Sequence, residues 1–141
     1  PYFGDPAPQH PVGSTPGLWN YEVVEWFLVG CGSPRPYLEV ELGPHGHHLV
    51  LHLEGVRNAV GTEEELSFTA QILGSRWSGR AALPLTWFPV GPYFHNAFAI
   101  HGVGEERRYC AAYEVPGEAP DFHRLEHFEP FSLGLASGVR R

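Results

Sequence analysis

The chain contains no lysine and no methionine, it has only two cysteines, and it carries neither a basic run nor a long apolar run. Its 9 basic residues, all arginine, face 16 acidic ones, which gives a net charge of −7. A nucleic-acid partner is therefore not expected, because such partners select basic surfaces. No apolar run approaches the roughly 18 residues of a membrane span, so no membrane partner is expected either.

The two cysteines, Cys31 and Cys110, are too few for a disulfide framework, and neither lies in a CxxC motif. They either pair with each other or are small buried thiols, which is the commoner state of a free cysteine. The first residues lack the charged and apolar regions of a signal peptide. That slightly favours a soluble, cytoplasmic protein and leaves the compartment open. The chain does not begin with Met, so it can be a processed or truncated form.

What the sequence does contain is a series of short alternating segments between turns rich in Gly and Pro. The predicted strands are 21–29, 37–42, 48–54, 66–73, 77–83, 94–102 and 107–115. Because no long helical pattern occurs, we predict one all-β domain over residues 1–141, with less than about 15% helix. Its architecture is an antiparallel β-sandwich of immunoglobulin-like or jelly-roll type. Residues 1–18 form an extended lead-in and residues 132–141 a flexible tail.

The segment 37–55 predicts a hairpin with two different faces, since its residues alternate with period two. With a four-residue loop over 43–46, Val40 faces Leu49 and Glu41 faces His48. One face is then apolar. The other carries Tyr37, Glu39, Glu41, His48 and His52. That second face combines a ring for stacking with acceptors and switchable donors for hydroxyl groups, so it is the predicted ligand site.

The strand at 21–29 has bulky residues on both parities, which predicts a central strand covered on both sides. Glu25 shares parity with Val23 and Phe27. A buried carboxylate without a partner is costly, so we expect an arginine, a histidine or a metal beside it, unless it lies at the open end of the sheet.

Several stretches together resemble a known family. They are LWNYEVVEWFL (18–28), YLEVELGPHGHHLVL (37–51), RWSGRAALPLTWFP (76–89), FHNAFAIHG (94–102) and PDFHRLEHFEPF (120–131). In this order they resemble an uncharacterised, UPF-type family of small proteins from bacteria and animals. That family is distantly similar to the family 9 carbohydrate-binding modules and the DOMON domains. The resemblance covers most of residues 19–131 and implies a β-sandwich.

In the sugar-binding relatives, a ligand lies between aromatic side chains at one end or face of the sandwich. The resemblance therefore implies a ligand-binding module. Haem-binding DOMON domains use a Met and a His as axial ligands, and the absence of Met argues against that mode here.

We therefore predict a non-catalytic module that binds a small ligand, with a carbohydrate as the leading candidate. Trp19, Trp87 and His101 would extend the site if the second hairpin packs alongside the first. Two alternatives stay open. One is an interaction or structural subunit with a protein partner, which needs an exposed apolar patch. The other is a metal-dependent enzyme that uses the His/Glu face, which needs at least three convergent ligands.

Histidines near the turn are the weak candidates for metal ligands, namely His45, His47 and His48. His48 and His52 lie roughly 13 Å apart along an extended strand and cannot share one ion. We favour exposed surface histidines there. No cofactor is predicted, and a divalent metal is the alternative.

Overall fold

A computed structural model describes residues 1–134 of the chain. The strands in that part are β1 (Val23–Val29), β2 (Pro36–Leu42), β3 (His48–Glu54), β4 (Ala59–Val60), β5 (Ser67–Leu73), β6 (Arg76–Ala82), β7 (Tyr93–His101), β8 (Arg108–Ala111) and β9 (Glu129–Phe131). The helical structure in residues 1–134 consists of four 3-10 turns of three residues each, and none of these could cross a membrane. The predicted flexible tail lies outside the described residues from position 135 onward.

Strand β1 is the centre of a seven-stranded antiparallel sheet in the order β4-β3-β2-β1-β7-β8, with β9 also paired to β7. Its sequence explains this position, because Phe27 and Val29 are buried on one side of the sheet and Leu28 on the other. Only a strand that is covered on both faces places apolar side chains at both parities. The prediction of a central, two-sided strand is confirmed.

The seven-stranded sheet has two faces with different coverings. The odd-numbered residues of β1, β2 and β3 and the even-numbered residues of β7 share one face, which we call the cleft face. The opposite face, here called the hairpin face, is covered by β5 and β6, which pair as a two-stranded sheet. Phe68 and Ala81 of that hairpin join the apolar cluster of Leu38 and Val40. The predicted antiparallel β-sandwich is confirmed, and its second sheet is small.

The cleft face is covered only at its two ends. At one end Leu125 and Phe128 pack against Phe27. At the other end Leu18, in the 3-10 turn before β1, packs with Val23. The sheet between these two ends forms the floor of a cleft.

The pairing within the first hairpin differs from the prediction by one residue. The structure pairs Val40 with Val50 and Glu41 with Leu49, where the sequence predicted Leu49 and His48 as their partners. The amide of Gly43 donates to the carbonyl of His47 at 2.8 Å, so the loop has three residues instead of four. Gly46, with φ of 93°, supplies the left-handed residue that such loops require.

A one-residue shift moves every side chain of one strand to the other face. Tyr37, Glu39 and Glu41 therefore share the cleft face with leucines of β3, whereas His48 and His52 lie on the hairpin face. The single His/Glu/Tyr face predicted for this hairpin is wrong. Its members are divided between the two faces of the sheet.

The lead-in at 1–18 is extended and is held by hydrogen bonds to the sheet. The buried carboxylate of Glu22 accepts the amides of Phe3 at 2.9 Å and Asp5 at 3.2 Å. Asp5 in turn accepts the amide of Gly102 at 2.6 Å. The segment therefore runs across the end of β7.

The two cysteines are more exposed than expected, and two apolar strand residues are only half-buried. Cys31 and Cys110 are both exposed and unpaired within residues 1–134. Cys31 follows the end of β1 and Cys110 lies in the edge strand β8, where no layer covers it. Val24 and Leu51 are apolar strand residues that are half-buried, because each borders a groove.

We expect Leu38→Ala to lower the free energy of unfolding by about 2–5 kcal/mol, through lost transfer energy and the residual cavity. Leu38 is fully buried between the sheet and the β5–β6 hairpin. Urea denaturation measures the change. The matched control is Leu73→Ala in β5, whose side chain is exposed and should change stability by less than about 0.5 kcal/mol. Similar losses in the two variants would contradict the assignment of the hairpin face.

Candidate functional site

The open part of the cleft face forms a cleft of about 450 Å³. Its floor comes from β1, β2, β3 and β7, and its walls come from the turn before β1, the loop after β3, strand β8 and the segment at 120–123. The residues that line it are Trp19, Asn20, Glu25, Glu39, Leu51, Leu53, Arg57, Ala59, Ile100, Arg107, Tyr109, Pro120, Phe122 and His123. This volume lies within the usual range for small-molecule sites.

Three carboxyl groups lie together at and beneath the floor of the cleft. Glu25 of β1 is paired directly opposite Glu41 of β2, and Glu39 lies two residues further along the same face. All three are buried, Glu41 completely. Neither oxygen of Glu41 has a hydrogen-bond partner within residues 1–134, although the backbone amide of Trp19 lies near enough to lower its pKa.

Burial is the main cause of raised pKa values in this cluster of three. The pKa of Glu25 rises to about 8 through burial and the charge of Glu39, against an opposing effect of Arg107. The pKa of Glu39 rises to about 7, and that of Glu41 rises to about 10 through burial and the charges of its two neighbours. Like charges held together cannot all ionise, so the cluster retains protons at neutral pH.

A second polar network connects the wall of the cleft to Glu39. The hydroxyl oxygen of Tyr37 accepts the amide of Arg57 at 2.9 Å and lies 2.7 Å from Nδ1 of His123. We assign the Tyr37 proton to that bond, which leaves the imidazole proton on Nε2. Nε2 lies 4.0 Å from Oε2 of Glu39. Burial and the charge of Arg57 lower the pKa of His123 to about 4, so the ring is a neutral donor at pH 7.

Aromatic rings form the upper walls of the cleft. Trp19 and Tyr109 are close to half exposed, with 47% and 46% of their surface in solvent. Phe122 lies deeper and is stacked on Phe98 with ring centroids 3.9 Å apart. The cleft therefore offers aromatic surface above and carboxyl groups below.

Arg107 fixes the geometry of this aromatic wall. Its Nε donates to the hydroxyl of Tyr109 at 3.2 Å, and its guanidinium donates to the backbone carbonyls of Trp19, Asn20 and Gly102. The side chain thereby holds the turn before β1 against β8. Since these donors are used within the protein, Arg107 acts as a positioning residue for the two rings.

Several residues predicted for the site lie elsewhere. His48, His52 and Trp87 are on the hairpin face, where the ring of His52 meets Trp87 edge-on at 6.0 Å. His101, at the end of β7, is stacked under Phe3 with ring centroids 3.5 Å apart. The reason is the shifted hairpin register together with the lead-in, which covers the end of β7. The cleft brings together the other predicted residues, with Trp19 and Glu39 lining it and Tyr37 and Glu41 beside and beneath them.

The histidines at the first turn have roles within the protein. His47 donates through Nε2 to the carbonyl of His10 at 2.8 Å, and Nε2 of His48 accepts the amide of Leu66 at 3.1 Å. Both are buried, contrary to the expectation of exposed surface histidines, and His45 is half-buried. Within residues 1–134 no group of three or more His, Cys, Asp or Glu side chains is arranged to hold a metal ion.

Sequence reasoning missed five cleft residues, namely Arg57, Arg107, Tyr109, Phe122 and His123. It did single out Glu25 as a buried carboxylate that needs a partner, and Arg107 is the cation whose charge acts on it. The recurring aromatic and histidine residues at 120–131 were a usable signal. In that segment Leu125 and Phe128 pack on the sheet, whereas Phe122 and His123 line the cleft.

Fold and cleft together define a small antiparallel β-sandwich with a concave site of ligand size. The chain is 48% identical over 146 residues to a Danio rerio protein named UPF0462 protein C4orf33 homolog, covering 98% of this chain and 74% of that relative. It is 44% identical over 149 residues to the Homo sapiens UPF0462 protein C4orf33, covering 98% of this chain and 73% of the human one. The chain therefore belongs to the UPF0462 family, and the predicted resemblance to a UPF-type family is confirmed. No protein-family model matches it.

Among solved structures, the fold is similar to that of a Bacteroides uniformis protein described as a "putative carbohydrate-binding protein". The TM-score is 0.61 at 16% sequence identity, and the match covers 84% of this chain and 64% of that one. At this identity the likeness concerns the fold, and it agrees with the β-sandwich described above.

We expect the stability of the protein to decrease as pH rises above about 4.5, the ordinary pKa of a glutamate. The folded state retains protons on Glu25, Glu39 and Glu41 where the unfolded chain has released them, so alkali favours unfolding. Glu41→Gln should match the wild type near pH 5 and exceed it by about 1–3 kcal/mol at pH 8. Urea denaturation across this pH range measures both curves.

The lowered pKa of His123 makes stability increase with pH, but only below the ordinary pKa of 6.5. This contribution is the same in the wild type and in Glu41→Gln. The exposed Glu118→Gln is the matched control and should follow the wild type at every pH. If Glu41→Gln declined with pH as steeply as the wild type, the ionisation of the cluster would not be the cause.

Proposed function

We propose that this protein is a non-catalytic module that binds a carbohydrate in the cleft on the cleft face. The observation that carries the proposal is the convergence of exposed aromatic rings and buried carboxyl groups on one cleft. Trp19 and Tyr109 supply the rings, and Glu25 and Glu39 line the floor beneath them.

The aromatic rings of the cleft suit the apolar C–H groups of a sugar, and its carboxyl groups suit the hydroxyl groups. The C–H groups of a pyranose form an apolar patch that stacks on an aromatic ring. Its hydroxyl groups both donate and accept, and the floor offers partners for each. Ionised carboxylates accept, whereas protonated carboxyls and Nε2 of His123 donate. A cleft of about 450 Å³ has room for one or two sugar rings.

The walls are fixed before a ligand arrives, which reduces the entropy lost on binding. Arg107 holds Trp19 and Tyr109 in place. Arg57 has φ of 59°, a costly conformation for a side chain other than glycine. The hydrogen bond from its backbone amide to the hydroxyl of Tyr37 and its 2.8 Å ion pair with Asp121 keep Arg57 in this conformation. Strain that is held by surrounding contacts is a common feature of binding sites.

The comparisons give this proposal limited support. The Bacteroides uniformis protein with the similar fold is described as carbohydrate-binding, and its likeness to this chain concerns the fold. The relation to family 9 carbohydrate-binding modules, predicted from the sequence, points the same way and remains a prediction. The arrangement of the cleft residues is therefore the main argument.

We expect a glycan that binds this protein to change the fluorescence of Trp19, whose ring is close to half exposed at the cleft. Trp19→Ala should weaken the binding by roughly tenfold or more, since stacking and burial of one aromatic face contribute over 1 kcal/mol, about the energy of a tenfold change. The measurement is titration with a panel of neutral, acidic and amino glycans, followed by fluorescence and amide chemical shifts.

The matched control is Trp87→Ala, which removes a tryptophan on the opposite face of the sheet. It should leave the affinity unchanged, provided that circular dichroism shows a folded protein. Equal losses in both variants, or no saturable response to any glycan of the panel, would contradict the proposal.

A further inference from the structure

The floor of the cleft has three carboxyl groups, and the two arginines around it use their donors elsewhere. Glu25, Glu39 and Glu41 lie side by side on the cleft face. Arg57 is paired with Asp121 at 2.8 Å, and Arg107 donates to one hydroxyl and three backbone carbonyls. Neither guanidinium forms an ion pair with a floor carboxylate. A ligand that brings positive charge would favour the ionised form of these carboxyls and form ion pairs with them.

Glu41 lies beneath the two carboxyls that line the floor. It is fully buried, its two oxygens have no hydrogen-bond partner within residues 1–134, and it lies on the same face as the lining residues Glu25 and Glu39. Buried polar atoms in folded proteins are nearly always paired, so an unpaired carboxyl beneath the floor leaves capacity for one more polar partner. A cation bound by Glu25 and Glu39 would also stabilise the ionised form of Glu41.

The walls favour the same kind of ligand. Trp19 and Tyr109 line the cleft and are close to half exposed, and aromatic faces attract cations as well as stacking on sugars. The guanidinium of Arg107 already lies over the ring of Tyr109 at 5.6 Å, so Trp19 is the ring available to a cationic ligand. A metal ion would need its ligands gathered around one point, and residues 1–134 contain no such group of acidic and histidine side chains. An ammonium group has three directional N–H donors and can bind carboxylates that are spread along two strands.

Building on the carbohydrate-binding function proposed above, we propose that the ligand is an amino sugar, whose protonated amine is bound by Glu25 and Glu39 above Glu41. The amine lies at the floor of the cleft, and the sugar ring lies against Trp19 and Tyr109. The hydroxyl groups of the ligand are then left for His123 and the rim.

Binding should release protons from the protein. The groups that face the amine are the three carboxyls, with Tyr37, His123, Arg57 and Arg107 around them. At neutral pH the carboxyls retain protons, and a bound ammonium group favours their ionised form. The affinity should therefore increase from about pH 6 upward, until the amine of the ligand loses its own proton.

The probes are chitotetraose, which carries free amines, and tetra-N-acetylchitotetraose, in which every amine is a neutral amide. Isothermal titration calorimetry of the whole chain at about pH 7 measures both. We expect chitotetraose to bind roughly tenfold or more tightly, as charge-assisted hydrogen bonds are about twice as strong as neutral ones. Repeating the titration in two buffers of different ionisation enthalpy should show net proton release for chitotetraose only.

Glu39→Gln and Glu25→Gln should each reduce this preference, and Glu118→Gln, exposed and not among the residues that line the cleft, should retain it. Two glutamine variants are used so that a folding defect in one does not decide the result. Equal or tighter binding of the acetylated tetramer would overturn the amino-sugar inference while the carbohydrate-binding proposal stands. If neither tetramer nor any glycan of the panel bound, both would be wrong.

Discussion

The burial of three carboxyl groups on one face of the sheet is the constraint on which the rest of the structure depends. Glu25, Glu39 and Glu41 lose their hydration without gaining an arginine ion pair in the part of the chain described, and such burial is unfavourable. The fold tolerates it because the same strands bury Phe27, Leu28 and other apolar side chains on both faces. Retained protons reduce the remaining charge. A surface that destabilises the folded state in this way is more easily explained by binding than by folding.

The central strands and the peripheral elements contribute different parts of the cleft. The carboxyl groups lie on central strands, where neighbouring strands fix their positions. The rings that face them come from the turn before β1 and from the edge strand β8, and these two elements would diverge without Arg107 between them. A floor built on strands with walls built on tied loops gives a rigid cleft, which suits selection by shape and charge.

Local patterns predicted the fold well and the cleft only in part. Alternation located every strand of the first hairpin within a residue, and the two-sided apolar pattern placed β1 at the centre of the sheet. Of the residues at or beside the cleft, Trp19, Tyr37, Glu39 and Glu41 were predicted. Arg57, Arg107, Tyr109 and His123 were not, because they reach the cleft through contacts between distant parts of the chain that no local pattern records.

The error in the register shows how closely the chemistry of the site depends on one turn. With a four-residue loop, Glu41 would face His48, and the pair could neutralise each other on a polar surface. The three-residue loop that ends in Gly46 instead places Leu49 opposite Glu41 and sends His48 to the other face. Without His48 opposite Glu41, the three carboxyls lie next to one another and retain protons. The length of the turn thus decides between an ordinary ion pair and a cluster able to receive a cation.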